Sequence, residues 1–143
     1  MTMKTLINVG GTSRSGSTMV HLMLGNAPNA FACGETESWF RPVQTHHFSL
    51  QCPCGRSPCP MWKELTDVSE DQFHAEAFEK LNVDYLVDSS KAASWIVDTW
   101  RWAATHRFRA VNLFVWKNPV DLAFSFWKRG HAPMLWLKRF VLY

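Results

Sequence analysis

The chain has 143 residues, 47% of them hydrophobic and 19% charged, with a formal net charge of +3. That length fits one domain, 1–143, and that composition builds a packed core and excludes a disordered chain. The mild positive charge gives no case for nucleic acid and suits a small anionic ligand, and no apolar run approaches the roughly 20 residues of a membrane span.

The N-terminus, Met1-Thr2-Met3-Lys4-Thr5, carries no signal-peptide pattern, so a soluble cytoplasmic protein is expected. Residues 4–9 read as a first strand, short and apolar, ending at Gly10-Gly11. Residues 17–25 follow as a helix with Met19, Val20, Met23 and Leu24 on one face, closed by Gly25-Asn26. Ala30 to Cys33 reads as a second strand, and 35–43 as a short helix or turn stopped near Pro42. Residues 44–62 form a Cys- and Pro-rich insertion expected to be irregular.

Ser69-Glu70-Asp71-Gln72 has the form of a capping box, opening a helix to about Leu81. Val83 to Asp88 reads as a strand, 92–106 as a helix, and Arg109 to Trp116 as another strand. A helix over 119–129 begins with Pro119 in its first turn, and an amphipathic stretch runs 132–142. Strands alternating with helices predict an α/β fold, a P-loop-type parallel sheet flanked by helices. Ligands of such sheets bind beyond the carboxyl ends of the strands. The loops Gly10–Thr18, Asp88–Lys91 and Trp116–Pro119 leave those ends and should converge. The eight Trp and ten Phe are expected to be mostly core, with some lining a pocket or interface.

Gly11-Thr12-Ser13-Arg14-Ser15-Gly16-Ser17-Thr18 lies between a predicted strand and a predicted helix. Its glycines let the backbone curl, and its N–H groups together with a helix N-terminus make an anion site. The spacing is that of the nucleotide loop G-x-x-x-x-G-K-S/T, but Ser17 stands where that motif has Lys. Triphosphate hydrolysis loses its usual cation, and Arg14 offers a forked donor to phosphate or sulfate oxygens instead.

Residues 12–18 resemble the 5'-phosphosulfate loop of the sulfotransferases that use 3'-phosphoadenosine-5'-phosphosulfate (PAPS), which often reads P-R-S-G-T-T or R-S-G-S-T. That family's second signature is an Arg after a strand with a Ser eight residues on, around R-D-P, which grips the 3'-phosphate. It is matched here by Lys117-Asn118-Pro119 and Ser125, with Lys in place of Arg and Asn in place of Asp. Cys33-Gly34-Glu35-Thr36 is similar to the C-G-E stretch of tyrosylprotein-type members, where the Glu is the general base. Asp88-Ser89-Ser90-Lys91 resembles the D-S-S-K of many bacterial members. By its position, Lys91 corresponds to a lysine that supports sulfuryl transfer. The ordered motifs run from about residue 4 to 130.

The resemblance implies PAPS as co-substrate with no metal required, and Gly11 to Thr18, Lys117 and Ser125 as its binding residues. It implies Glu35 as base, with Arg14 and Lys91 as cations at the transferring group. The acceptor is a hydroxyl or amine on a small molecule, sugar, lipid or peptide. Glu37 and the His46-His47 pair are the competing bases. Ser89 and Ser90 are read either as donors to the phosphates or as caps of the next helix. The family usually runs well beyond this length, so the resemblance also implies a fragment or shortened product, incomplete at the C-terminus.

Cys52, Cys54 and Cys59 resemble a C-x-C-G…C-P-x-W segment of some bacterial sulfotransferase-like proteins. Zinc held by these three, with Cys33, His46 or His47 as a fourth ligand, is one reading. C-x-C-x₄-C matches no standard zinc spacing, so reduced thiols packing a substrate-side loop are the preferred one. Two other functions stay open: a P-loop nucleotide kinase, with Asp88 placed for Mg²⁺, and a degenerate, non-catalytic sulfotransferase-like module.

Overall fold

The computed structural model describes residues 3–43, 56, 59–132, 134, 135, 137 and 138. Four strands form one parallel sheet: β1 (Thr5–Gly10), β2 (Ala30–Gly34), β3 (Tyr85–Asp88) and β4 (Arg109–Phe114), in the order β2-β3-β1-β4. The helices are α1 (Ser17–Gly25), α2 (Glu37–Phe40), α3 (Pro60–Lys63), α4 (Phe73–Lys80), α5 (Ala93–Thr105) and α6 (Pro119–Trp127). The fold is α/β, as the alternation of strand and helix patterns requires.

Parallel pairing sets the faces. Leu6 pairs with Leu86 and Ala110, and Phe31 with Leu86, so these side chains share one face. There Leu6 and Leu86 pack with Leu65, Phe73, Ala77 and Phe78. Burying each large apolar side chain contributes about 1.5–3 kcal/mol. The other face carries Ile7, Val87 and Ala32, and takes α1. Gly25 makes that approach possible, since a Cβ there would meet the Ala32 Cβ at 2.3 Å. On the first face Thr99 of α5 donates to Asn8 at 3.4 Å, and Asn8 donates to Asn112 at 2.9 Å, tying α5 to the two neighbouring strands.

The chain therefore leaves β1 for one face and β3 for the other. These two strands are neighbours, so a switch of direction opens between their carboxyl ends, where ligands of such sheets bind.

Three expectations change. The Ser69–Gln72 box does not open α4: Ser69 donates to Asp71 Oδ1 at 2.5 Å, the helix begins at Phe73, and its cap Gln72 makes no side-chain cap. Residues 65–72 turn instead to bring Leu65 into the core. The end of the Cys/Pro segment is regular, since Pro60 starts the single turn α3. The aromatic side chains are less often core than expected: among the described residues Phe73, Phe78, Trp95 and Phe126 are buried, while Phe114, Phe124, Trp100, Trp116 and Trp127 are exposed. The stretch 132–142 falls largely outside the described residues, with helical backbone at Met134, Leu135, Leu137 and Lys138. No helix among the described residues is long and apolar enough to cross a membrane.

Candidate functional site: an anion cradle beside an acid–lysine pair

The loop after β1 curls because its backbone adopts left-handed conformations at Gly11 (φ 136°), Arg14 (φ 74°) and Gly16 (φ 102°). At Gly11 only glycine fits, since a Cβ would lie 2.5 Å from the Val115 carbonyl oxygen. The turn is closed by Ser15 N–H donating to the Thr12 carbonyl at 3.1 Å. Gly16 is the N-cap of α1, and no side chain caps that helix. The first-turn N–H groups of a helix have no intrahelical partner and carry partial positive charge, so an anion is the complement of this end. Ser15 Oγ is buried with no hydrogen-bond partner among the described residues. Thr12 and Ser17 are buried within the loop, while Ser13 is half-buried and Thr18 and Arg14 are exposed. The Arg14 guanidinium makes no ion pair among the described residues.

Lys117 reaches the same loop from the end of β4. Its Nζ donates to Ser125 Oγ at 2.7 Å and to the Arg14 carbonyl at 3.3 Å. Ser125 Oγ donates in turn to the Asp121 carbonyl at 2.8 Å. Asn118 caps α6, its Oδ1 accepting from Val120 N–H at 2.9 Å. Asn for Asp thus keeps the cap and drops a negative charge beside Lys117.

Glu35 and Lys91 form an ion pair, and Lys91 also donates to the Ser89 carbonyl at 3.4 Å. The structure thus joins two residues that the sequence nominates for separate roles. The Glu35 carboxylate keeps an exposed side, while most of the Lys91 side chain is covered. Glu37 sits in the first turn of α2, where burial pushes its carboxyl up from the ordinary value despite the nearby Arg41.

Asp88 faces inward. Its oxygens accept from Thr36 Oγ1, from Trp95 Nε1 at 2.8 Å and from Ser90 N–H at 2.7 Å, and it is 1% exposed. His74 Nε2 lies 3.8 Å from it, at ion-pair range and beyond hydrogen-bond reach. Burial pushes the Asp88 carboxyl up, but the His74 ring, Ser90 and Thr36 outweigh it and leave the group below its usual value. A carboxylate so occupied is not presented to a metal–nucleotide complex, contrary to the Mg²⁺ role held open for it. Ser90 Oγ accepts from Glu37 N–H at 2.9 Å, so it serves α2 and not the following helix, whose cap Ala92 has no side-chain bond.

Sequence patterns missed His74, Trp95 and Thr36 as partners of Asp88. They also missed His21, whose Nε2 accepts from Gly34 N–H at 2.9 Å. Thr36 lies in the quoted C-G-E-T stretch but was given no role there, and no periodic or motif signal marks His21, His74 or Trp95. Cys33 and Cys59 are buried, and burial pushes the Cys33 thiol well up, as for an inert packing thiol. Cys52, Cys54, His46 and His47 lie outside the described residues. Among the described residues no group of three His, Cys, Asp or Glu side chains is placed to hold a metal ion.

The cradle, Lys117 with Ser125, and the Glu35–Lys91 pair all stand at the carboxyl ends of the strands. The arrangement supplies backbone donors and cations for an anion, and a carboxylate that can accept a proton nearby. Comparison with family models, curated proteins and solved structures finds no match.

Proposed function

We propose that the chain binds PAPS and transfers its sulfuryl group to a hydroxyl or amine acceptor. The observation that carries this reading is the Lys117 bridge, which bonds Ser125 Oγ at 2.7 Å and the anion loop at the Arg14 carbonyl at 3.3 Å. A mononucleotide with charge at both its 5' and 3' positions fits two linked anion sites better than a simple adenylate does.

In the reaction the acceptor oxygen or nitrogen attacks sulfur in line. The bond between sulfur and the bridging phosphate oxygen breaks, and adenosine 3',5'-bisphosphate leaves. Glu35 takes the proton of the acceptor. Arg14, Lys91 and the N–H groups at the start of α1 stabilise charge on the transferring group and the leaving oxygen. Lys117 and Ser125 hold the 3'-phosphate.

Calorimetry of adenosine 3',5'-bisphosphate, AMP and ATP with Mg²⁺ tests the reading. Tightest binding of the bisphosphate supports it, and preference for ATP with Mg²⁺ replaces it with the nucleotide kinase. Bisphosphate binding without sulfation of any sugar, phenol, lipid or peptide acceptor leaves a non-catalytic binding module.

A further inference from the structure

His21 stands outside the chemistry just described, yet it touches the backbone that carries the base. It lies in α1, the helix that starts at the anion loop, and its ring is 4% exposed. Nε2 accepts from the Gly34 N–H at 2.9 Å, and the backbone of Val87 in β3 lies close enough to raise the affinity of the ring for a proton. Gly34 ends β2 in the left-handed conformation, φ 82°, where the pairing with β3 slips between Ala32 and Gly34. The Gly34 carbonyl accepts from Ser89 N–H at 2.8 Å. The chain is therefore gripped on both sides of one peptide-length irregularity, and the next residue is Glu35.

We propose that His21 is a positioning residue whose neutral imidazole locks the Gly34–Glu35 backbone to the helix of the anion loop, and that protonating it releases Glu35 from its working position. The inference rests on the reading of Glu35 as the base. Its chemistry is direct. An N–H donates to Nε2, so Nε2 carries no proton, and adding one sets two donors against each other at a buried contact.

The charged groups facing the ring are Asp88 at the end of β3, Glu35 after β2 and Lys91 after β3. Burial dominates and holds the imidazole below the ordinary 6.5; Asp88 and Glu35 raise it, and Lys91 lowers it. The fold therefore favours the neutral ring. The contact is complete above the unfolded value of 6.5 and is lost as pH falls through the depressed folded value. The acid side of the activity profile should carry a component that His21→Gln removes.

Two variants separate this from a packing role. His21→Gln offers a side-chain oxygen as acceptor and does not titrate. His21→Leu fills the space with no acceptor. In the wild-type chain the Gly34 amide resonance should move with pH at a midpoint below 6.5, and that movement should vanish in His21→Gln. Turnover should fall about 10–100-fold in His21→Leu and recover to within a few-fold in His21→Gln, the scale expected when a reacting group is misplaced by an ångström or less. Bisphosphate affinity should stay within a few-fold in both.

A wild-type Gly34 resonance that does not titrate, or one that titrates equally in His21→Gln, overturns the inference and leaves the sulfotransferase reading standing. So does full turnover in a folded His21→Leu. If His21→Leu does not fold, the comparison of wild type with His21→Gln decides alone. If the wild-type chain binds no bisphosphate, the functional reading falls and the catalytic consequence with it.

Discussion

Lys117 Nζ donates to Ser125 Oγ, 8 residues along the chain, at 2.7 Å, and the same ammonium touches the Arg14 carbonyl at 3.3 Å. One cation, between β4 and α6, thus ties the last turn of α6 to the loop after β1. A phosphate arriving there meets an ammonium already aimed by a hydroxyl.

Lys117→Ala should erase the preference for adenosine 3',5'-bisphosphate over AMP while leaving AMP binding nearly intact. Titration calorimetry of both ligands checks this, and equal losses for the two place the 3'-phosphate elsewhere. Lys117→Arg should hold or improve bisphosphate affinity, since a planar fork suits phosphate.

Arg14 extends from a left-handed backbone with no ion-pair partner among the described residues. Arg14→Ala should weaken bisphosphate binding by about 1.5–3 kcal/mol, the worth of a hydrogen bond to a charged group. Unchanged affinity removes Arg14 from the donor site.

Glu35→Gln should lower turnover by about 10²–10⁴, the usual range for loss of a general base. From sequence, a base acting only on the acceptor should leave bisphosphate affinity untouched. The ion pair with Lys91 alters that expectation. Lys91 divides its charge between Glu35 and any bound anion, so Glu35→Gln should tighten bisphosphate binding a few-fold. The gain should disappear in a Lys91→Met background and should be absent in Glu37→Gln. A double-mutant cycle by calorimetry reads this, and a gain that persists without Lys91 assigns it to simple charge repulsion.

Asp88→Asn should lower the free energy of unfolding by about 3 kcal/mol or more, because Asn sets an NH₂ donor among the donors Thr36, Ser90 N–H and Trp95 Nε1. The folded carboxyl lies below its unfolded value of 3.8. Its contribution is therefore full above that value and is lost as pH falls through the folded one. Denaturant melts should show that acid dependence in the wild-type chain, and a weaker one in Asp88→Asn.

Much of the fold, and the glycine-rich turn after β1, were legible from local pattern alone. Apolar runs cut by Gly10-Gly11, Gly25-Asn26 and Pro119 mark strand and helix ends, because φ preferences and missing N–H groups act within a few residues. The curl of the anion loop is of that kind, closed by Ser15 N–H on the Thr12 carbonyl, whereas Lys117 and Ser125 were nominated by the family resemblance. Tertiary structure decided the rest. Glu35 meets Lys91 across 56 residues, His21 meets Gly34 across 13, and Thr36 meets Asp88 across 52. None of these pairs has a sequence period, since they exist only once parallel pairing lays β2, β3 and β1 side by side. That pairing also turned Asp88 inward to Thr36, Ser90 N–H and Trp95, a role that no motif assigned to them. The Ser69–Gln72 box shows how weak a local signal can be: a cap is worth only about 1 kcal/mol, and in the fold Ser69 donates to Asp71 while the helix begins at Phe73.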